Sequence, residues 1–182
     1  GAYQLDNLAA ALCTCSLLNP DFFDRQAGIA DAIRNTRVPG RLQQVGATPE
    51  IFLDVGHNTL AAGAVAAFLA NRERLGDGTV CVLAMLADKP AEEVALALHG
   101  CCQRWLCAGL PGERGQTGEA LAQRVKVVLP AVDVRAMPGV DEAMQAALAD
   151  HSGFGRVLVF GSFVTVASAA RWLREHMGQH TR

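Results

Sequence analysis

Apolar and polar positions change rhythm near residue 40. Residues 5–18 are apolar and Ala-rich and end at Asn19-Pro20, which predicts a helix stopped by proline. Phe22, Phe23, Ile29, Ala32 and Ile33 predict a second, weakly amphipathic helix over 22–36. Val38-Pro39-Gly40 is a turn signal and marks a boundary. Beyond it, short apolar runs alternate with longer helical stretches. Strands are predicted over 51–55, 79–85, 104–108, 132–136 and 156–160. Helices are predicted over 59–75, 91–98, 117–129, 140–150 and 164–176. Asn58 or Thr59 caps the first of these and Gly76 stops it. Pro90, with Glu92 and Glu93 in the next turn, starts another, and Thr117 caps a third. Continuous apolar strands that alternate with helices indicate an open, mostly parallel α/β sheet with helices on both faces. The chain therefore divides into a helical segment, 1–37, and an α/β domain, 38–182.

Composition narrows the class. Of 182 residues, 51% are hydrophobic and 19% charged, enough apolar material for a sizeable core. A net charge of -2 leaves no basic footprint for nucleic acid or an anionic membrane surface. The longest charge-free stretch, 55–71, contains His57, Asn58, Thr59 and two glycines, so it does not read as a membrane span. The start lacks the basic and apolar regions of a signal peptide and is not Met, so the chain reads as a piece whose natural start lies upstream. Six cysteines at 13, 15, 81, 101, 102 and 107 form no CxxC pair, which suits reduced thiols in a cytoplasmic protein.

In open α/β sheets, ligands bind beyond the carboxyl ends of the strands. Four such loops carry candidate chemistry: 54–58, 86–89, 109–115 and 161–163. Asp54 offers two acceptor oxygens to vicinal sugar hydroxyls, or it orders the start of the next helix. His57 can donate to an anion or move a proton, or it is an ordinary hydrogen-bonded histidine. Lys89 sits where a cation opposes a helix dipole, so it pairs with an anionic ligand or with Asp88. Ser162 begins a helix, as a cap or as a seat for a carboxylate or phosphate. Arg41 follows the hinge and is suited to bidentate phosphate or carboxylate binding, or is a surface charge.

Other patterns fail. Gly109, Gly112 and Gly115 have the wrong spacing for a dinucleotide fingerprint, and no P-loop motif exists. Gly161-Ser162 is not a nucleophile elbow. His99, Cys101, Cys102 and Cys107 match no zinc template.

Pro39-Gly40-Arg41, Leu53-Asp54-Val55-Gly56-His57-Asn58, Met85-Leu86-Ala87-Asp88-Lys89 and Gly161-Ser162-Phe163-Val164-Thr165-Val166 occur in that order. Together they resemble the C-terminal domain of the folylpolyglutamate synthase/dihydrofolate synthase family, within the Mur ligase superfamily. Trp105 through Gly115 resembles the family's third-strand loop. The resemblance implies a Rossmann-like domain that works with an ATPase domain carrying the P-loop and Mg2+ ligands. It implies ATP-dependent addition of L-glutamate to dihydropteroate or reduced folates through an acyl phosphate. Arg41 is then expected near the ATP phosphates, Asp54 and Asn58 at the nucleotide, and His57 at the reacting end near glutamate or the terminal phosphate. Lys89 and Ser162 are expected at the glutamate carboxylate. Gln4 and Asn7 resemble the tail of the ATPase domain, where an asparagine approaches adenine. No metal ligand is expected in this chain, a monomer is expected, and the piece alone is expected to be inactive.

The family usually has Ala at Gly56 and Pro at Thr59, small changes expected to keep the turn. It has Asp at Pro90, whose loss removes a carboxylate beside Lys89, and in some members His at Val164. Two other readings stand beside this one. One is a different nucleotide-binding α/β enzyme; the other is a non-catalytic binding module of the same fold.

Overall fold

The computed structural model describes residues 3–36, 38–73, 75–149 and 153–177. The chain falls into two units, Gly1–Pro39 and Gly40–Arg182.

In the first unit, α1 (Tyr3–Leu18) is followed by a 3-10 turn (Pro20–Arg25) and α2 (Gln26–Asn35). The single helix expected over 22–36 is thus split. Asn19 causes the split: its carbonyl accepts from Phe22 N at 3.0 Å and its side chain from Asp21 N at 3.2 Å. These contacts tighten the chain into a 3-10 turn before α2 begins. Leu5, Leu17, Leu18, Phe23 and Ile33 are exposed.

The second unit is built on six strands: β1 (Gln43–Ala47), β2 (Glu50–Asp54), β3 (Thr79–Leu83), β4 (Arg104–Ala108), β5 (Asp133–Met137) and β6 (Arg156–Phe160). Their order across the sheet is β1-β2-β6-β3-β4-β5. β2 to β6 run parallel, and β1 pairs antiparallel to β2 at the edge. The edge strand β1 was not expected. Its residues, Gln-Gln-Val-Gly-Ala, carry no apolar run, and only pairing to β2 makes them a strand.

Helices α3 (Thr59–Ala70), α4 (Ala91–Leu98) and α5 (Gly118–Val128) cover one face. Helices α6 (Val140–Ala149) and α7 (Phe163–Met177) cover the other. α4 buries Ala91, Val94, Ala95 and Leu98; α5 buries Gly118, Leu121, Ala122 and Val125; α6 buries Val140, Ala143, Met144 and Ala147. Each set follows the i, i+3, i+4, i+7 spacing of a core-facing stripe. Alternate residues of the central strands feed the two cores: Phe52, Cys81, Leu83, Trp105 and Phe160 on one side, Ile51, Leu53, Val82, Leu106 and Val159 on the other.

α3 ends at Ala70, five residues before the expected stop at Leu75. The Asn71 amide donates to Leu69 O and its side chain donates to Ala67 O at 2.8 Å, closing the last turn. Gly76 bridges to Phe154 instead of ending the helix. Asp150, the expected end of α6, lies outside the described residues. Cys81, Cys102 and Cys107 are buried free thiols, and burial pushes the Cys107 thiol up to about 12. Among the described residues, no helix is long and apolar enough to cross a membrane, and no group of three or more His, Cys, Asp or Glu can hold a metal ion.

Candidate functional site

The parallel register puts Asp54 of β2, Phe160 of β6, Leu83 of β3 and Cys107 of β4 level across four adjacent strands. The four candidate loops therefore leave one edge of the sheet side by side, with neighbouring strands about 4.8 Å apart. β6 inserts between β2 and β3. α3, after β2, packs on one face and α7, after β6, packs on the other. The chain diverges there, and such a divergence is the place where open α/β sheets take ligands.

Asp54 anchors the first part of the site. It is 3% exposed, and its Oδ1 accepts from Gly56 N at 2.7 Å while Oδ2 accepts from Leu42 N at 2.8 Å. One carboxylate thus orders two turns, the one bearing Arg41 and the one bearing His57. Burial pushes the Asp54 carboxyl above its ordinary value; the two amides and the Arg41 charge pull the other way. Leu42 has a positive φ of 43°, a conformation that costs a non-glycine residue energy and needs an external hold. Its bond to Asp54 supplies that hold. Gly40, with φ +67°, lies so close that a Cβ would stand 2.7 Å from Val55 Cγ1. Arg41 itself is exposed.

His57 is half-buried, with Nδ1 3.1 Å from Val55 O. Because the partner is a carbonyl oxygen, that contact makes Nδ1 the donor and leaves Nε2 as the other ring nitrogen. Asn58, not Asp54 or Thr59, caps α3: its Oδ1 accepts from Ala61 N at 2.9 Å. Gly56 is held tightly as well. A Cβ there would lie 2.7 Å from both Ala61 Cβ and the Phe160 ring, so the alanine usual in the family does not fit this turn unchanged.

Ser162 is buried and its Oγ accepts from Thr165 N at 3.0 Å, capping α7. Thr165 Oγ1 donates to Ala84 O at 2.6 Å, so the 2.6 Å contact between the two hydroxyls has Ser162 as donor. The Ser162 proton is thereby committed inside the protein. With Thr165 N bonded to Ser162 Oγ and Val166 N to Ser162 O, the first-turn amides of α7 left without an acceptor in the helix are those of Phe163 and Val164. Gly161 brings β6 and β3 together here: with φ +131°, a Cβ would sit 2.3 Å from Ala84 O.

The β3 loop carries Asp88 and Lys89. Lys89 Nζ lies 3.3 Å from Asp88 Oδ2, and Arg114 Nη2 donates to both Asp88 oxygens at 3.0 and 2.8 Å. The Arg114 bond holds the exposed Asp88 carboxyl below its ordinary value. Sequence reasoning assigned no role to Arg114, Gln116, Arg124 or Thr165, all of which brace this edge. No local pattern marks Gln116 or Arg124; Arg114 falls in the 109–115 loop and Thr165 in the 161–166 motif, but their partners Asp88 and Ala84 lie in other parts of the chain. Asn7 is an exposed residue of α1 in the first unit; the Gln4 side chain lies outside the described residues.

The description "Mur ligase, glutamate ligase domain" matches residues 40–163. The chain belongs to the Mur ligase family. This Mur ligase domain is 34% identical over 139 residues to the dihydrofolate synthase/folylpolyglutamate synthase of Escherichia coli K12, covering 76% of this chain and 31% of that protein. It is 38% identical over 124 residues to the Haemophilus influenzae enzyme of the same name, covering 65% and 28%. It superposes on E. coli FolC in complex with DHPP and ADP with a TM-score of 0.73 at 31% identity, over 82% of this chain and 34% of that one. A bifunctional folylpolyglutamate synthase/dihydrofolate synthase with Mn, AMPPNP and L-glutamate bound gives a TM-score of 0.68 at 30% identity, over 80% and 34%. The Mur ligase domain therefore spans about 30% of the length of the curated relatives it matches. The family is the one that the four sequence motifs resemble.

Proposed function

We propose that this Mur ligase domain is the C-terminal part of an ATP-dependent ligase that joins L-glutamate to dihydropteroate, reduced folates or both. The observation that carries the reading is the gathering of Arg41, Asp54, His57, Lys89 and Ser162 at one sheet edge of a domain homologous to these synthases. A solved relative binds AMPPNP and L-glutamate, which fits a site that must meet both.

In this reading the carboxylate of the pterin substrate attacks the terminal phosphorus of ATP and ADP leaves. The amine of glutamate then attacks the acyl carbon and phosphate leaves. Such chemistry needs charge clamps and close placement of the amine. Arg41, exposed and held on a strained turn, clamps ATP phosphates. Asp54, with two backbone bonds in place, has lone pairs left for ribose hydroxyls. Asn58 lies at the nucleotide side. His57 offers its Nε2 to the reacting end. Lys89 and the Ser162 turn receive a glutamate carboxylate. Asn7 in the first unit, read as the tail of the ATPase domain, approaches adenine. The metal ligands and the P-loop belong to that ATPase domain, so the piece alone does not turn over. The whole is a cytoplasmic monomer.

The test is phosphate release from ATP by the full-length protein, with dihydropteroate or tetrahydrofolate and L-glutamate. Glutamate-dependent turnover that falls by about a hundredfold or more in His57→Ala and Asp54→Ala is expected. Folded protein with no glutamate dependence overturns the reaction; turnover that survives both substitutions overturns the residue roles.

A further inference from the structure

Lys89 reaches the site from a loop, 84–90, with no regular structure of its own. Arg114 holds part of that loop, its carbonyl accepting from Ala87 N at 3.0 Å, and Arg124, on α5, holds the part that carries Lys89. Arg124 Nη2 donates to Lys89 O at 2.8 Å and Nη1 to Ala87 O at 3.2 Å. Nε and Nη2 each donate to Glu92, at 2.6 Å to Oε1 and Oε2. Nη1 also reaches Gln116 Oε1 at 3.5 Å, and Gln116 Nε2 in turn donates to Met85 O at 2.9 Å. All three guanidinium nitrogens are engaged, and every target is the Lys89 loop or a group next to it. The side chain is 27% exposed, partly screened from water. Its bond to Glu92 holds that carboxyl below its ordinary value, so the pair stays ionised through neutral pH.

We infer that Arg124 is the positioning residue of the glutamate subsite, fixing the loop that presents Lys89. The inference rests on the reading of Lys89 given above. An arginine that served only to staple α5 to α4 would need Glu92 alone. The two carbonyl bonds go instead to Ala87 and Lys89, the residues that flank Asp88. A planar fork with five donors meets these demands; a lysine at the same place cannot. Small displacements of a positioning group are costly for a bound and oriented substrate.

The experiment is a double-mutant cycle in the full-length protein, with KM for L-glutamate, KM for ATP, kcat and Tm measured for Arg124→Gln, Lys89→Ala and both together. Arg124→Gln is expected to raise KM for glutamate about tenfold and leave KM for ATP within about twofold. In the Lys89→Ala background the same change is expected to add less than about twofold, because its route to substrate is already gone. Arg124→Lys, which keeps the charge and the stem, is expected to behave as Arg124→Gln does, and it replaces it if the glutamine variant fails to fold. If Lys89→Ala leaves KM for glutamate unchanged, the reading of Lys89 falls and the inference with it. If Lys89→Ala raises KM but the Arg124 effect adds in full, only the inference falls. Equal rises in both KM values, or a lower Tm with unchanged kinetics, also overturn it.

Discussion

The two ends of the same parallel sheet treat charge differently. At the amino edge, Arg156 donates to Glu50 through Nε at 2.8 Å and pairs through Nη2 at 2.7 Å, and it also reaches Glu73 O at 3.0 Å. Arg72 joins the same carboxylate and lies over the Phe52 and Phe68 rings, 5.3 Å from each centroid. The Arg156 and Glu50 side chains are only 5% and 11% exposed. At the carboxyl edge, Arg41 and Arg114 are exposed, and Lys89 and Arg114 share the half-exposed Asp88. Charges that satisfy one another inside the protein read as structure. Cations gathered at an exposed sheet edge with few internal partners read as a place for an anion.

The sharpest way to break this contrast is at Glu50. Glu50→Ala strands two arginines at the amino edge and is expected to lower stability by roughly 3–5 kcal/mol in denaturant unfolding. The variant that still folds keeps the KM values of the wild type. Altered KM for glutamate or ATP would mean that the amino edge communicates with the site.

Gly56→Ala tests the opposite edge. The new methyl presses on Ala61 and the Phe160 ring, and an overpacked turn is expected to cost about 1–3 kcal/mol. Because the same turn carries His57, kcat is expected to fall as well. A variant with wild-type stability and turnover would show that the turn relaxes freely.

The smallest effect is in the acid limb of stability. Glu50 is pushed up by burial, but its bonds to Arg72 and Arg156 outweigh this and hold it below its ordinary value. Its stabilising contribution is present above that value and is lost as pH falls through the lower, folded one. Asp54 is shifted the other way, by burial. The folded state binds its proton more tightly than the unfolded chain, so its contribution is favourable in acid and fades as pH rises through the raised value. Unfolding measured from pH 3 to 7 (about the range where carboxylates titrate) is expected to show a flatter acid limb in Glu50→Gln and a steeper one in Asp54→Asn. Matching slopes in both variants would sink the contrast between the two edges.

Much of the site is legible in sequence because its loops directly follow apolar strands. The Asp54–Asn58 and Gly161–Phe163 motifs can be placed at strand ends before any coordinates. Asp54's second bond, to Leu42, is invisible in the same way that β1 is: both depend on a segment of mixed polarity folding back on β2. Ser162 reads from its position as a helix cap or as a seat for an anion; it is the cap, and its proton goes to Thr165 because Thr165 has already given its own to Ala84. Arg124 lies 35 residues from Lys89, on the margin of the α5 buried stripe, where sequence periodicity sees only a polar position.

The chain's periodicities alone determine its alternation of strands and helices, its buried stripes and its strand-end motifs, because these depend on neighbours within a few turns of chain. Strand order is different. Any of the apolar strands can pair with any other, and nothing in residues 156–160 says that they lie between β2 and β3. Packing of α3, α4 and α5 on one face and α6 and α7 on the other, with each parallel connection right-handed, decides that. By inserting β6 there, the tertiary structure alone brings Asp54, Ser162 and Lys89 to one sheet edge.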